Sequence, residues 1–370
     1  MIRNVLLFIF LGPIALMAQD PKILYENGLK KLEREDFKGA AQDMTKAIRL
    51  NPVYKEAFNK RGEARFGLGD FYGSIGDFNY ALELDSTLVE AFNSRGLSKF
   101  NLGDDENAII DYDKAISKNP SFAEAYTNRG FAKYNLEDLE GAYFDFSKAI
   151  ELDPNDADKY FNRAVIKAEL EEFVSAIDDY NKSISLDSTD PEAYNFRGVA
   201  KFSVGDLDAA MADYNKSIEM DPEDPVKYEN RALAKTEKED YDGAIADYSK
   251  SLELYPDDPE VYNLRGVVKY TKGDNDDAIE DYTAAIELDN TNPIYYENRA
   301  LAKTEKEDYE GALDDYNSSI ELFPTDPDTF HERGLVKIRM GNKYDGCLDL
   351  NTARELGSED VSSDIKKHCK

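Results

Sequence analysis

Histidine and cysteine are nearly missing from this chain: 370 residues hold two of each, and tryptophan is absent. His331 and His368 sit in different segments, and neither has a cysteine or a second histidine at ligand spacing, so no metal centre is expected. No Gly-rich phosphate loop or nucleophile elbow is present. The acid-rich stretches, such as GDNDDAIEDY, lack the Gly-bearing twelve-residue pattern of a calcium loop. The sequence therefore points to no catalytic residue, no metal and no cofactor. Positive charge is also scarce: 45 Lys and Arg face 76 Asp and Glu, a formal net charge of -31. Such a field repels nucleic acid and anionic lipid and favours a neutral or basic partner.

Long apolar runs are missing with one exception. Val5 to Met17 are largely apolar, Arg3 precedes them, and the small Ala18 stands before Gln19, the layout of a secretory signal peptide. Gly12 and Pro13 interrupt the run, which falls short of the roughly 20 apolar residues of a bilayer-spanning helix. We expect residues 1–18 to be removed, leaving an exported chain, periplasmic or secreted, with no integral membrane segment. A cytosolic adaptor with an uncleaved N-terminus is the alternative. The oligomeric state is not legible.

What the chain does contain is apolar material, 41% overall with 24 Tyr and 19 Phe, and a repeat. Shifting the sequence by 34 brings the same punctuation into register from 21 to 358, giving ten units: about 21–54, 55–88, 89–122, 123–156, 157–190, 191–224, 225–258, 259–292, 293–326 and 327–358. Each unit has a small residue at one slot, as in Gly62, Gly96, Ala164 and Ala232. A second small residue follows twelve positions later, as in Ser74, Ala108 and Ala176, and an aromatic or bulky residue four after that, as in Phe78, Tyr112 and Tyr180. Pro closes six units, at Pro52, Pro120, Pro154, Pro222, Pro256 and Pro324.

The spacings read as two helical stripes per unit. Tyr262, Gly266 and Tyr270 stand at i, i+4 and i+8, Gly273 and Asp274 break the run, and Ala278, Tyr282 and Ala285 form the next stripe. Small residues let the paired backbones approach while the aromatics fill the neighbouring volume. A lone helix of about 12 to 15 residues is marginal in water, so each hairpin must be buried by its neighbours. In period, small slots, aromatic slot and closing Pro the chain resembles the tetratricopeptide repeat family over most of its length. The resemblance implies an all-α fold: an α-solenoid, a right-handed superhelix whose first helices line a concave groove, closed by a short capping helix over 359–370. It also implies a non-enzymatic scaffold that binds a protein or peptide.

Two slots depart from the family pattern. Arg61, Arg95, Arg129, Arg163, Arg197, Arg231, Arg265, Arg299 and Arg333 stand just before the small residue, and Lys or Arg stands three after it, from Lys31 and Arg65 to Lys337. Each second helix carries an Asp before its bulky residue, from Asp43 and Asp77 to Asp349. Matching numbers and the fit of Arg forks to carboxylates favour an internal Arg/Asp ladder over a basic stripe that grips an acidic ligand. Chaperone-binding members of the family clamp a C-terminal carboxylate with Lys and Asn. Here one of those slots is apolar (Leu97, Phe131, Val165, Val199, Val267, Leu335) and another often acidic (Glu56, Glu90, Glu124, Glu192, Glu260), which opposes capture of an acidic tail.

The expected groove residues are instead Asn59, Asn93, Asn195 and Asn263 with Phe66, Phe100, Tyr134, Phe202 and Tyr270, slots about 20° apart on the helix and turned away from the arginines. Asn pairs with a peptide backbone and an aromatic covers an apolar side chain, although aromatics at this spacing also serve as core. YENRALAKTEKEDY occurs at 228–241 and again at 296–309, the mark of a copied 68-residue block, and sets Glu229 and Glu297 as acidic rungs of the same groove. Cys347 and Cys369 fall nearly level on antiparallel helices if the chain reverses at Gly357, so an oxidising compartment would permit a disulfide that clamps the cap. A carbohydrate- or cell-wall-associated hydrolase, or a regulator of one, built on the same repeat is the alternative function. Cell-envelope assembly is the setting that family analogy suggests.

Overall fold

The computed structural model describes residues 20–358 and 361–369. The expected signal peptide lies outside the described residues, as do 359, 360 and 370 of the expected cap. Among the described residues every regular element is an α-helix. The chain packs as two compact units that divide between Glu171 and Glu172. Unit 1 holds α1 (Pro21–Leu32), α2 (Phe37–Leu50), α3 (Lys55–Gly67), α4 (Phe71–Leu84), α5 (Val89–Phe100), α6 (Asp105–Lys118), α7 (Ala123–Asn135), α8 (Leu139–Leu152) and α9 (Ala157–Glu169). Unit 2 holds α10 (Phe173–Leu186), α11 (Pro191–Ser203), α12 (Leu207–Met220), α13 (Pro225–Glu237), α14 (Tyr241–Leu254), α15 (Pro259–Lys272), α16 (Asn275–Leu288), α17 (Pro293–Glu305), α18 (Tyr309–Leu322), α19 (Pro327–Arg339), α20 (Lys343–Glu355) and α21 (Val361–His368). Odd-numbered helices up to α19 are the first helices of the repeats and even-numbered ones the second. Within each unit a helix packs on its sequence neighbours, and the tandem hairpins form α-solenoid segments.

The turn chemistry explains the hairpins. The residue that ends each first-helix turn has positive φ in every repeat, and it is glycine in half of them, such as Gly103 (φ 75°), and glutamate in the others, such as Glu137 (φ 62°). A left-handed glutamate costs about 1 kcal/mol, so the fold holds this geometry against local preference. An acid or amide follows and caps the second helix: Asp36, Asp70, Asp138, Asp206, Asp240 and Asp308 accept from the backbone N–H three residues on. Six first helices open with Pro after an Asp or Asn cap, for example Asp190 before Pro191 and Asn292 before Pro293.

The core runs between the two helices of a hairpin and on into the next. At Gly96 an added Cβ would lie 2.7 Å from the Tyr112 ring, so this slot sets how closely α5 and α6 approach. Phe78, Leu82, Ala91, Phe92, Ala115 and Ala125 form one buried cluster in unit 1, and Tyr248, Leu252, Val261 and Val268 with Ala232 and Ala244 form one in unit 2. At the end of unit 2, α21 covers Leu350 and Ala353 with Val361, Ile365 and Cys369. Cys347 and Cys369 are disulfide-bonded there, their Cα atoms 5.7 Å apart. His331 Nε2 lies 2.9 Å from Asp364 Oδ2, a further tie to the cap. No helix among the described residues is long and apolar enough to cross a membrane.

Candidate partner-binding face

The arginines are the best-defined polar feature. In Arg61, Arg95, Arg129, Arg197, Arg231, Arg265, Arg299 and Arg333 the Nε donates to the Oδ2 of the Asp sixteen residues on at 2.7–2.9 Å, and Nη2 donates to Oδ1 at 2.5–2.8 Å. The third arm, Nη1, reaches back sixteen residues to the preceding second helix: Asn79 for Arg95, Asn215 for Arg231, Thr283 for Arg299. Arg163 reaches Ser147 Oγ in the same way at 3.3 Å. Each of the nine guanidinium carbons also lies 5.2–5.9 Å from the centroid of the aromatic ring three residues earlier. The fork thus ties a first helix to its own second helix and to the one before.

The base four residues further on completes the arrangement. Lys99, Lys133, Lys201, Lys235, Lys269 and Lys303 put their ammonium groups 2.7–2.8 Å from the same carboxylates. Burial alone would raise the Asp111 pKa, but hydrogen bonds from Arg95 and Lys99 outweigh it and hold the carboxyl below its usual range. These cations are spent on internal acids and leave little for an acidic ligand.

The expected groove asparagines lie elsewhere than the sequence suggested. Asn93, Asn195 and Asn263 are 3%, 4% and 5% exposed. Each accepts a hydrogen bond from an Asn on the next first helix: Asn128 at 3.0 Å, Asn230 at 3.1 Å and Asn298 at 2.8 Å. They join α5 to α7, α11 to α13 and α15 to α17. Asn59 bonds Glu63 at 3.3 Å, and its Oδ1 is buried without a partner among the described residues. Glu229 and Glu297 occupy the same slot and turn inward, accepting from Ser251 and Ser319 on the second helix of their own hairpin, each at 2.6 Å. Burial raises the Glu229 pKa, and the Ser251 bond only partly offsets it. Asn93, Asn195, Asn263, Glu229 and Glu297 therefore serve helix packing, because the arc of the helix they share is covered by the neighbouring first helix or second helix.

The aromatics divide. Phe66, Phe100, Phe202 and Tyr270 are half-buried; Phe100 packs against Tyr112 and Ala132, Phe202 against Tyr214 and Ala234, and Tyr270 against Tyr282 and Ala302. Phe66 packs against Phe71 with the rings tilted at 60° and their centroids 5.3 Å apart. Tyr134 is 37% exposed.

The solvent-facing surface of the first helices lies one slot further round. The residue just after the small slot is apolar in every repeat but the second, which has Glu63; Phe131 is 36%, Leu233 39% and Val267 37% exposed, and Leu97, Val199, Leu301 and Leu335 in the same row are half-buried. Exposed Glu56, Glu90, Glu124 and Glu260 lie on the same arc two turns earlier. The sequence signal of this row is the slot two after the small residue, which is small or apolar from Ala64 to Val336 and is buried in all of those repeats, turning the free arc onto the row before it.

One acidic cluster has ligand-like geometry: Glu192, Asp221 and Asp224 bring carboxylate oxygens within 4.8 Å of one another. The fully buried Lys227 ammonium already occupies it, 2.8, 2.6 and 3.1 Å from the three. Burial would lower the Lys227 pKa, but these bonds drive it well above the usual lysine value. The cluster is a hairpin-closing ion pair with its cation supplied by the chain.

Family models described as tetratricopeptide repeat match residues 25–88, 123–156 and 191–224, and one described as TPR repeat matches 99–137, 232–273 and 268–304. Among solved structures, a tetratricopeptide repeat protein from Parabacteroides merdae is 21% identical, covering 67% of this chain and 98% of that one with a TM-score of 0.50. PilF of Pseudomonas aeruginosa is 18% identical, covering 57% of this chain and 96% of its own, at 0.51. At these identities the likeness is one of fold. A comparison with curated proteins found no match.

Proposed function

Because this chain belongs to the tetratricopeptide repeat family, we propose that it is an exported, non-enzymatic scaffold that holds a protein or peptide partner on the outward face of its first helices. One observation carries the reading: the apolar row of Leu233 and Val267 in unit 2, and of Phe131 in unit 1, is open to solvent although the slots on either side of it are buried. Apolar side chains repeated at one helical slot and left uncovered mark an interaction surface. Acids on the same arc, Glu124 and Glu260 among them, select a partner with apolar anchors and basic or neutral flanks.

A hydrolase of carbohydrate or cell wall would need two carboxylates facing each other across a pocket at about 5–10 Å. The tightest carboxylate cluster in the described residues is neutralised by Lys227, which favours the scaffold. Export is supported by the layout of Arg3, the apolar run and Ala18, and by the Cys347–Cys369 bond, which suits an oxidising compartment. The cell envelope is the corresponding setting.

Selection of peptides from a random display library tests the class of partner. We expect enriched sequences to combine Leu, Phe or Tyr anchors with Lys or Arg. Enrichment of acidic sequences on this face, or of none, would contradict the proposal. N-terminal sequencing of the secreted protein is expected to begin at Gln19; a Met1 start on protein recovered from the cytosol would favour the adaptor alternative.

A further inference from the structure

The groove where α2 meets α3 departs from every other groove of the chain in its charge. It forms an open, shallow pocket of about 360 Å³ bordered by Lys38, Lys46, Arg49 and Arg65, with no carboxylate in its wall. The nearby acids hold two of these cations, Asp43 that of Lys46 and Asp77 with Asp70 that of Arg65. Asp43 pairs with Lys31 and Lys46, Asp77 with Arg61 and Arg65, and Asp70 caps α4. Lys38 and Arg49 are exposed and have no ion-pair partner among the described residues.

The repeat itself supplies the comparison. At the Lys38 slot, α12, α14 and α16 carry Asp208, Asp242 and Asp276, which pair across the groove with Lys238, Lys272 and Lys306 at the Leu68 slot. In the first groove Lys38 stands where these repeats have the acid, and no other repeat carries a base at that slot. At the Arg49 slot the other nine repeats carry Glu or Ser, such as Glu83, Ser117 and Glu219. Three of the other grooves are closed by that ion pair; five carry Leu, Val or Met at the Leu68 slot, as here, but none of the eight has a base at the Lys38 or the Arg49 slot, so this groove is cationic at both in a chain of charge -31.

We propose that this groove is a second binding site, for an extended acidic peptide segment. Lys38, Gln42 and Lys46 are spaced at i, i+4 and i+8, about 6 Å apart along the helix, and Arg49 follows about 4.5 Å further on. Lys38 and Lys46 are thus about 12 Å apart; an extended chain rises about 3.3 Å per residue and turns alternate side chains to one side, so acids four positions apart on one side lie about 13 Å apart, close to that separation. Arg65, its charge held by Asp77 and Asp70, only frames the opposite wall, and Leu68 with the lysine stems offers apolar contact to the peptide's other residues. The site is independent of the first-helix face and prefers the opposite charge.

The test is fluorescence anisotropy of the full chain with a labelled ten-residue peptide of alternating Glu and Ser. About 0.1 M salt screens the distant acids over roughly 10 Å while sparing contact pairs. We expect saturable binding, weakened at least tenfold in the double variant Lys38→Gln/Arg49→Gln and unchanged in Lys216→Gln, which alters the Lys46 slot in the sixth repeat. Both substituted side chains in the double variant are exposed, so an unchanged thermal melt separates lost binding from lost fold. Absent binding, or equal binding to wild type and the double variant, would overturn the proposal. Binding of inorganic tripolyphosphate at these residues without binding of the peptide would also overturn it, assigning the groove to a compact phosphate.

Discussion

Arg197 holds Asp213 by two parallel hydrogen bonds, Nε to Oδ2 at 2.8 Å and Nη2 to Oδ1 at 2.6 Å, while its Nη1 donates to Asn181 Oδ1 at 2.8 Å. One side chain thereby joins α10, α11 and α12. In Arg197→Ala the buried Asp213 would keep only Lys201, 2.8 Å away. Removing one member of a buried pair costs about 3–5 kcal/mol; with Lys201 still in place and the guanidinium partly solvated, we expect about 2–3 kcal/mol. Urea unfolding monitored by circular dichroism reads this, and an unchanged midpoint would show that the fork does not support the fold.

Tyr112 offers a case of the opposite sign. Its ring is fully buried, and its hydroxyl has no hydrogen-bond partner among the described residues. Burial pushes the phenol pKa up. Phe78 and Phe146 fill the same slot without a hydroxyl. Tyr112→Phe is therefore expected to be neutral or to stabilise by up to about 1 kcal/mol, since it removes an unsatisfied polar atom and keeps the shape. A loss of more than about 1 kcal/mol in the same unfolding assay would reveal a partner for the hydroxyl.

The hairpins are legible because each depends on local signals that recur at 34: a small slot such as Gly96, an aromatic such as Tyr112, and a break such as Gly273 with Asp274. The fork was legible because Arg and Asp recur together sixteen residues apart, as in Arg197 and Asp213. The face was not read correctly. Helical geometry places Asn93 and Leu97 at known angles, but which arc a neighbouring helix covers depends on how hairpins stack, and that is tertiary information. Glu229 was misplaced for the same reason: its outlet, Ser251, is unremarkable in sequence until both are seen to depart from their slots in the same hairpin. The left-handed Glu137 is likewise visible only once Gly103 is seen at the same turn.

Two carboxylates predict opposite responses to pH. The folded-state pKa of Glu229 is raised, chiefly by burial, so the folded protein binds its proton more tightly than the unfolded chain does. That group lowers stability at neutral pH, and the penalty fades as pH falls through its raised pKa toward the ordinary carboxylate value. Glu229→Gln should raise the melting temperature at pH 7 and gain progressively less as pH is lowered toward that value. Asp111 is lowered, so its contribution is fully present above the ordinary Asp value and is lost as pH falls below it through the folded pKa. A gain in Glu229→Gln that is constant with pH would rule out titration of this carboxylate as its source.

The Cys347–Cys369 bond closes a loop with a sequence separation of 22 and pins α21 to α20. Such a loop contributes about 3 kcal/mol through the unfolded state. Denatured, unreduced exported protein should show no free thiol on titration. Reduction should speed hydrogen exchange in α21 and α20 while leaving α13 unaffected. Two titratable thiols per chain before reduction would contradict the assignment.

The central claim is that the forks build the scaffold and the open apolar row binds the partner. Anisotropy with a library-selected peptide, compared between wild type and Leu233→Glu/Val267→Glu, tests it most directly. We predict at least tenfold weaker binding by the double variant with an unchanged melting temperature, because both side chains point to solvent. Undiminished binding by that folded variant would contradict the account.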